Sequence, residues 1–261
     1  MIVTMHRTYH LLALCLLLAA AGCSSASGEP DTVTPKPARE AEAAPEPPAS
    51  EPASAPAPEP VVEIVPMGAP SPALVDKLVE SVRTRFRFQV RVRESVPMPR
   101  EAWYKTRKRW RADKLLDALD ALDTGDAIRA IGITEKEIST TKGKRYDWGI
   151  AGLGQMPGKS CVLTAYLFRR YRKKTPQRYF RYMDNLVLHE LGHTLGLEHC
   201  PLERCIMADA KGSARRAARK SINEFCPRCT KLLSRFLRDT TVKGDWTDEE
   251  LAIIGMPRRS P

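Results

Sequence analysis

HELGHTLGLEHC, residues 189–200, decides how the rest of the chain is read. It holds His189-Glu190-x-x-His193, then Gly196, then His199. Helical positions four apart project from one face, one turn apart, so His189 and His193 are placed to share a metal ion. Glu190 sits beside them without being a ligand, in position to take a proton from water at that metal. Gly196 reaches positive φ at little cost, which lets the chain stop the helix and turn back. The turn brings His199 round as third ligand and leaves the fourth position to water, the arrangement of a hydrolytic zinc site. A second set of metal-type residues follows, Cys200-x4-Cys205 and Cys226-x2-Cys229.

The approach to this stretch reads as one helix from Gln177 to Leu195. Phe180, Met183, Val187, Leu191 and Leu195 recur at three- and four-residue spacing as a core stripe. Tyr182, Leu186, His189 and His193 form a second row, rotated from the first, so the ligands are expected to face a cleft.

Two segments stand apart from the folded part. Arg7 and the apolar run Leu11–Ala21, too short for a stable bilayer span, end in Ala20-Ala21-Gly22-Cys23. This resembles a bacterial lipoprotein signal over residues 1–22, with Cys23 lipidated and anchoring the chain to the cell envelope, at the periplasmic face of the outer membrane. Residues 23–66 are rich in Pro, Ala and Glu and bury too little apolar surface to offset the entropy of ordering, so they are expected to be a disordered tether. The folded domain is then expected over residues 67–261.

The 261 residues carry a formal net charge of +11, and the tether from Ser24 to Pro66 holds eight acidic and two basic residues. Subtracting the tether and Arg7 leaves about +16 on the domain. Basic runs occur at Lys105–Arg111, Arg169–Lys174 and Arg215–Lys220. In an exported protein such runs suit anionic headgroups, envelope polymers or acidic peptides, or are simply solvated faces, and no nucleic-acid partner is expected.

Earlier elements alternate. Val61–Val65 reads as an edge strand, Pro70–Phe86 as a helix with Ser71 as N-cap, and Arg87–Val92 as a strand. A helix is expected over Asp113–Leu122 and strands over Ala127–Ile133, Asp147–Leu153 and Cys161–Phe168, with Gly154–Gly158 as a turn. Helical stretches over Ala214–Phe225, Thr230–Leu237 and Thr247–Ile254 close the chain. Strands alternating with helices imply an α/β layer with the site at its edge.

HExxHxxGxxH followed by a Met is the metzincin pattern. The Cys directly after the third His, the CIM at Cys205–Met207 and the FCPRC at Phe225–Cys229 make the chain resemble an archaemetzincin. Looser similarity reaches back through Gly149–Arg170 and Ala130–Ser139. The resemblance implies an α/β, zincin-like domain with a mixed twisted sheet, an active-site helix and a smaller C-terminal helical subdomain stapled by zinc. It implies two zinc ions: a catalytic one on His189, His193 and His199, with Glu190 as general base, and a structural one on Cys200, Cys205, Cys226 and Cys229. Met207 is expected in a tight turn beneath the catalytic metal. The implied activity is hydrolysis of peptide or protein substrates, held extended beside the strand Cys161–Phe168.

Three alternatives stay open at this stage. An oxidising compartment offers the disulfides Cys200–Cys205 and Cys226–Cys229 in place of zinc, although the spacing is ligand-like. A catalytically weak binding module for peptides or anionic envelope polymers fits the basic surface. Two purely structural zinc ions fit less well, because no fourth protein ligand is evident at the histidine site. Cys161 is left over and reads as a buried free thiol.

Overall fold

The computed structural model describes residues 2–5 and 58–256. Cys23 and the greater part of the expected signal and tether lie outside the described residues. None of the described helices is long and apolar enough to cross a membrane.

The central layer is a six-stranded mixed sheet. Its strands are β1 (Ile2–Met5), β2 (Val61–Pro66), β3 (Gln89–Val92), β6 (Ala127–Thr134), β9 (Gly152–Gln155) and β10 (Ser160–Thr164), in the order β1-β9-β10-β6-β2-β3. All neighbours are parallel except β9 and β10, which are antiparallel. A second sheet is built from β4 (Trp103–Tyr104), β5 (Arg109–Arg111), β7 (Ile138–Lys142) and β8 (Arg145–Ile150), in the order β4-β5-β7-β8.

Side-chain alternation along the central strands separates two cores. Val62, Ile64, Ile131, Ile133, Cys161 and Leu163 face one, with α1 (Pro72–Arg85) and α4 (Pro176–Thr194) packed over them. Val65, Met67, Leu153 and Val162 face the other, against α2 (Ala112–Asp120) and the Ile138 and Ile150 side chains of the second sheet. The basic run Arg169–Lys174 forms α3, and α5 (Ala214–Lys220), α6 (Pro227–Leu233) and α7 (Asp248–Ile253) complete the chain.

Local chemistry explains several boundaries. Proline occupies the first turn of α1, α4 and α6, where its missing N–H has no helical partner to lose. Thr247 and Glu250 close a reciprocal capping box on α7. Ser71 stands at the N-cap of α1, but its hydroxyl donates to Glu135 Oε1 at 2.9 Å rather than capping the helix.

The α/β class and the mixed sheet match expectation, α5 and α6 are shorter than or displaced from the expected Ala214–Phe225 and Thr230–Leu237, and four details of the strand layer differ. Val61–Pro66 is an interior strand, hydrogen-bonded to β3 and β6, with Val62, Ile64 and Val65 fully buried, so ordered structure begins ahead of residue 67. The expected strand Asp147–Leu153 breaks at Ala151 into β8 and β9, which belong to different sheets. Gly154 and Gln155 belong to β9, and the turn is confined to Met156–Gly158. The strand expected to hold substrate ends at Thr164 and lies between β9 and β6, so both its edges are occupied; β9, the strand that lies against Glu190, is flanked in turn by β1 and β10.

Candidate metal centre

The last three turns of α4 are closed in on all sides: every residue from Asn185 to Thr194 is buried. Met183, Val187 and Leu191 pack fully buried in the core, each worth about 1.5–3 kcal/mol of apolar burial. His189 and His193 are also sealed in, at 1% and 0% exposure, rather than lining an open cleft.

Two backbone carbonyls fix the imidazoles. His189 Nδ1 lies 2.7 Å from the Ile206 carbonyl oxygen, and His193 Nδ1 lies 2.6 Å from that of Leu197. A carbonyl only accepts, so each Nδ1 carries the proton and each Nε2 carries a lone pair. The two Nε2 atoms face each other at 3.0 Å. Burial, first of all, holds both rings well toward the neutral form, His193 down to about 4. Two lone pairs at that separation repel unless a cation lies between them. A tetrahedral zinc with bonds of about 2.05 Å sets its ligand nitrogens about 3.3 Å apart, close to what the chain provides.

His199 completes the group. Gly196, at φ 97°, ends the helix and turns the chain, which brings the His199 ring centroid to 4.8 Å from that of His193 and 5.4 Å from that of His189. Its Nε2 is buried and has no hydrogen-bond partner among the described residues. The ligand-type atoms of the three histidines all lie within 4.8 Å of one another. Beside His199 opens a cavity of about 230 Å³ lined by Leu197, Glu198, Cys200, Arg228 and Leu232.

Glu190 is fully buried, and neither of its carboxylate oxygens has a hydrogen-bond partner among the described residues. Burial pushes its carboxyl well above the usual carboxylate range. It lies against β9: a Cβ at Gly152 would stand 2.3 Å from Glu190 Oε1, and one at Gly154 would stand 3.2 Å from the His193 Cβ. These glycines are site residues that the sequence reading missed. Glycine inside a strand is itself a signal of close approach by another group.

Met207 sits below the same helix. The turn Cys205–Ala208, closed by Ala208 N–H donating to the Cys205 carbonyl at 3.1 Å, carries Ile206 and Met207. Met207 is fully buried, and a Cβ at Gly192, between the two helical histidines, would meet its Sδ at 2.6 Å. The turn therefore holds both the carbonyl that orients His189 and the methionine that fills the space left by Gly192.

Cys200, Cys205, Cys226 and Cys229 are buried and free, with their sulfurs all within 4.8 Å of one another. Neither disulfide pairing is present. The Cys200 and Cys226 sulfurs are 3.7 Å apart, and a zinc–thiolate tetrahedron with bonds of 2.3 Å has an edge of about 3.8 Å. Hydrogen bonding among the four thiols, from Cys205 and from Cys200 respectively, draws Cys200 and Cys226 below the usual thiol range. Cys161 is a free buried thiol in β10, as expected, and burial pushes it up.

Comparison with known proteins points the same way. Residues 75–235 match the family model described as peptidase family M54. The chain is 33% identical over 167 residues to an archaemetzincin of Methanopyrus kandleri, a match covering 64% of this chain and 89% of that protein. It is 28% identical over 181 residues to an archaemetzincin of Haloquadratum walsbyi, covering 66% and 99%. The crystal structure of archaemetzincin from Methanopyrus kandleri superposes with a TM-score of 0.58 at 28% identity, covering 69% of this chain and 97% of that one. Archaemetzincin from Archaeoglobus fulgidus, complexed with malonate, shares the fold at a TM-score of 0.55 and 24% identity, covering 66% and 99%.

Proposed function

The chain belongs to peptidase family M54, a family of zinc metallopeptidases acting on peptide or protein substrates, and from that premise we propose that Glu190 is its general base. In this reading His189, His193 and His199 hold the catalytic zinc. Cys200, Cys205, Cys226 and Cys229 hold a second, structural zinc, giving two per chain. Met207 supports the catalytic ligands from below.

The observation that carries the reading is the pair of proton-free Nε2 atoms 3.0 Å apart, with the carboxylate of Glu190 buried on the same helix and without a hydrogen-bond partner among the described residues. Zinc, when bound there, acidifies a water molecule and polarises the substrate carbonyl. Glu190 accepts the proton released by that water and delivers it to the departing amine. Its raised affinity for protons suits both halves of the transfer, since it must hold the proton before giving it up. The carbonyls of Ile206 and Leu197 keep the imidazoles in the tautomer whose Nε2 carries a lone pair.

The substrate would lie extended along the outer edge of β9. Ile2–Met5 pair in parallel with that edge, which supports its capacity to accept an added strand. In our reading residues 1–22 are a lipoprotein signal, so its removal would clear the edge. Cys23 would then carry the lipid, residues 23–60 would be the tether, and the protein would sit at the periplasmic face of the outer membrane. Loss of metabolic fatty-acid labelling in Cys23→Ser tests the anchor; labelling that persists would overturn it.

The test of the chemistry is Glu190→Gln in the full chain. Removal of a general base costs about 10²–10⁴-fold in kcat/KM. Zinc content should stay at the wild-type value, because the carboxylate is not a ligand. Undiminished peptide turnover would refute the assignment.

A further inference from the structure

A cavity of about 540 Å³ lies at the opposite end of α4 from the histidines. Tyr179, in the first turn of α4, is on its wall; fourteen residues of helix separate it from His193, about 21 Å along the axis. Two of the three basic runs meet here, through Lys108 and Arg169, and the Trp103 and Trp110 rings stand 5.0 Å apart at its rim.

The charges on this wall do not cancel. Glu135 is taken by Arg172 at 3.0 Å and by the Ser71 hydroxyl, and Glu137 by Arg109 at 2.9 Å. Lys108 and Lys136 make no side-chain hydrogen bond or ion pair among the described residues. Lys108 is also held at φ 51°, a left-handed conformation uncommon outside glycine. Tyr179 is 1% exposed, yet its hydroxyl has no hydrogen-bond partner among the described residues. Burial pushes this hydroxyl to about 12, so it is a donor at neutral pH. Trp103 keeps 42% of its surface exposed.

A merely solvated basic face accounts for the lysines. It does not account for a tyrosine hydroxyl on the cavity wall with no protein acceptor among the described residues, beside two tryptophan rings of which one is largely uncovered. A ligand matched to this wall brings an acceptor to Tyr179, negative charge to the lysines and a ring or flat apolar face to the tryptophans.

We propose that this cavity is a second recognition site, one that takes an acidic segment of the peptide substrate containing an aromatic residue. Lys108 and Lys136 bind the carboxylates, Tyr179 donates to one of them, and Trp103 and Trp110 stack against the ring. The proposal rests on the reading of the metal centre as the peptidase site. At about 3.3 Å per extended residue, the segment falls about six residues from the cleaved bond.

The test uses the full chain and two blocked tripeptides, acetyl-Glu-Phe-Glu-amide and acetyl-Ala-Phe-Ala-amide, with binding followed by tryptophan fluorescence. The acidic peptide should bind saturably and at least tenfold more tightly than the neutral one. The double variant Lys108→Ala/Lys136→Ala should weaken it about tenfold, and Glu190→Gln should leave it unchanged. In cleavable peptides, Glu-Phe-Glu placed six residues from the scissile bond should lower KM, not raise kcat, and the double variant should erase that advantage. Equal binding by wild type and double variant would overturn the proposal. So would competition by inorganic polyphosphate as effective as that of the acidic peptide, since it would mark a general polyanion surface. Failure of the peptidase reading would show separately, as turnover surviving in Glu190→Gln with the binding data intact.

Discussion

Gly152 matters because of a side chain that arrives from another element. A methyl group there would stand 2.3 Å from Glu190 Oε1, 2.7 Å from its Cδ and 2.7 Å from its Cγ, so the whole end of the glutamate must move. The strand backbone is fixed on its other side by β10, paired Leu163 to Gly152, and cannot retreat. Gly152→Ala should therefore displace the proposed base by about 1 Å and cost on the order of 10²-fold in kcat. Zinc content and the unfolding transition should change little, because the histidine that meets this strand, His193, lies against Gly154 rather than Gly152. Elemental analysis alongside steady-state kinetics separates this from loss of fold. A Gly152→Ala enzyme with wild-type kcat would show that Glu190 does not need the space.

At the scale of elements, the Cys205–Ala208 turn ties the two metal-type clusters together. Cys200 follows His199 directly, and its N–H donates to the Met207 carbonyl at 2.7 Å. Cys226 N–H contacts Cys205 Sγ at 3.4 Å, and Ile206 N–H donates to the Glu224 carbonyl at 3.0 Å. The cysteine cluster thus anchors the segment whose Ile206 carbonyl orients His189. Elemental analysis should give about two zincs per chain in wild type and about one in His193→Ala. Cys226→Ser should fall to one or below, because releasing the turn also loosens the histidine site. Two zincs retained in Cys226→Ser would dismiss the staple. The sequence made these clusters legible because their geometry is local: a helical period places His189 and His193, and one glycine turns the chain to His199. It hid the glycines of β9, whose role is set by a helix about forty residues later. It hid the break at Ala151 because apolar residues continue through it, from Ile150 to Leu153. The second sheet escaped notice because β4 and β5 are only two and three residues long and lie among basic residues. The place of β10 inside the sheet is topology, which alternation along one strand does not encode.

Across the whole molecule, the buried site makes stability depend on pH. In the metal-free chain, burial holds His189 and His193 below the ordinary imidazole value of 6.5, His193 to about 4, and His199 is lowered as well. Between those values the unfolded chain binds protons that the folded chain refuses, so stability is full above about pH 6.5 and falls as pH drops toward 4. Glu190 acts with the opposite sign. Its raised carboxyl keeps a proton in the folded state that the unfolded chain releases above about 4.5, so it favours the fold as pH falls. Within the cysteine cluster the shared hydrogen bonds lower Cys200 and Cys226 and raise Cys205 and Cys229, so the cluster favours neither direction. At least two imidazoles therefore outweigh one carboxyl, and each net proton contributes about 1.4 kcal/mol per pH unit. Urea midpoints of the chelated full chain should fall between pH 6.5 and 4.5, and more steeply in Glu190→Gln, which lacks the opposing group. Zinc, bound only by neutral imidazoles, should raise the midpoint most at the upper end of this range and lose its effect as protons displace it. A midpoint that is flat across the window in the chelated chain would mean that the three histidines are hydrated rather than sealed, and that the metal site is not preformed in the folded chain.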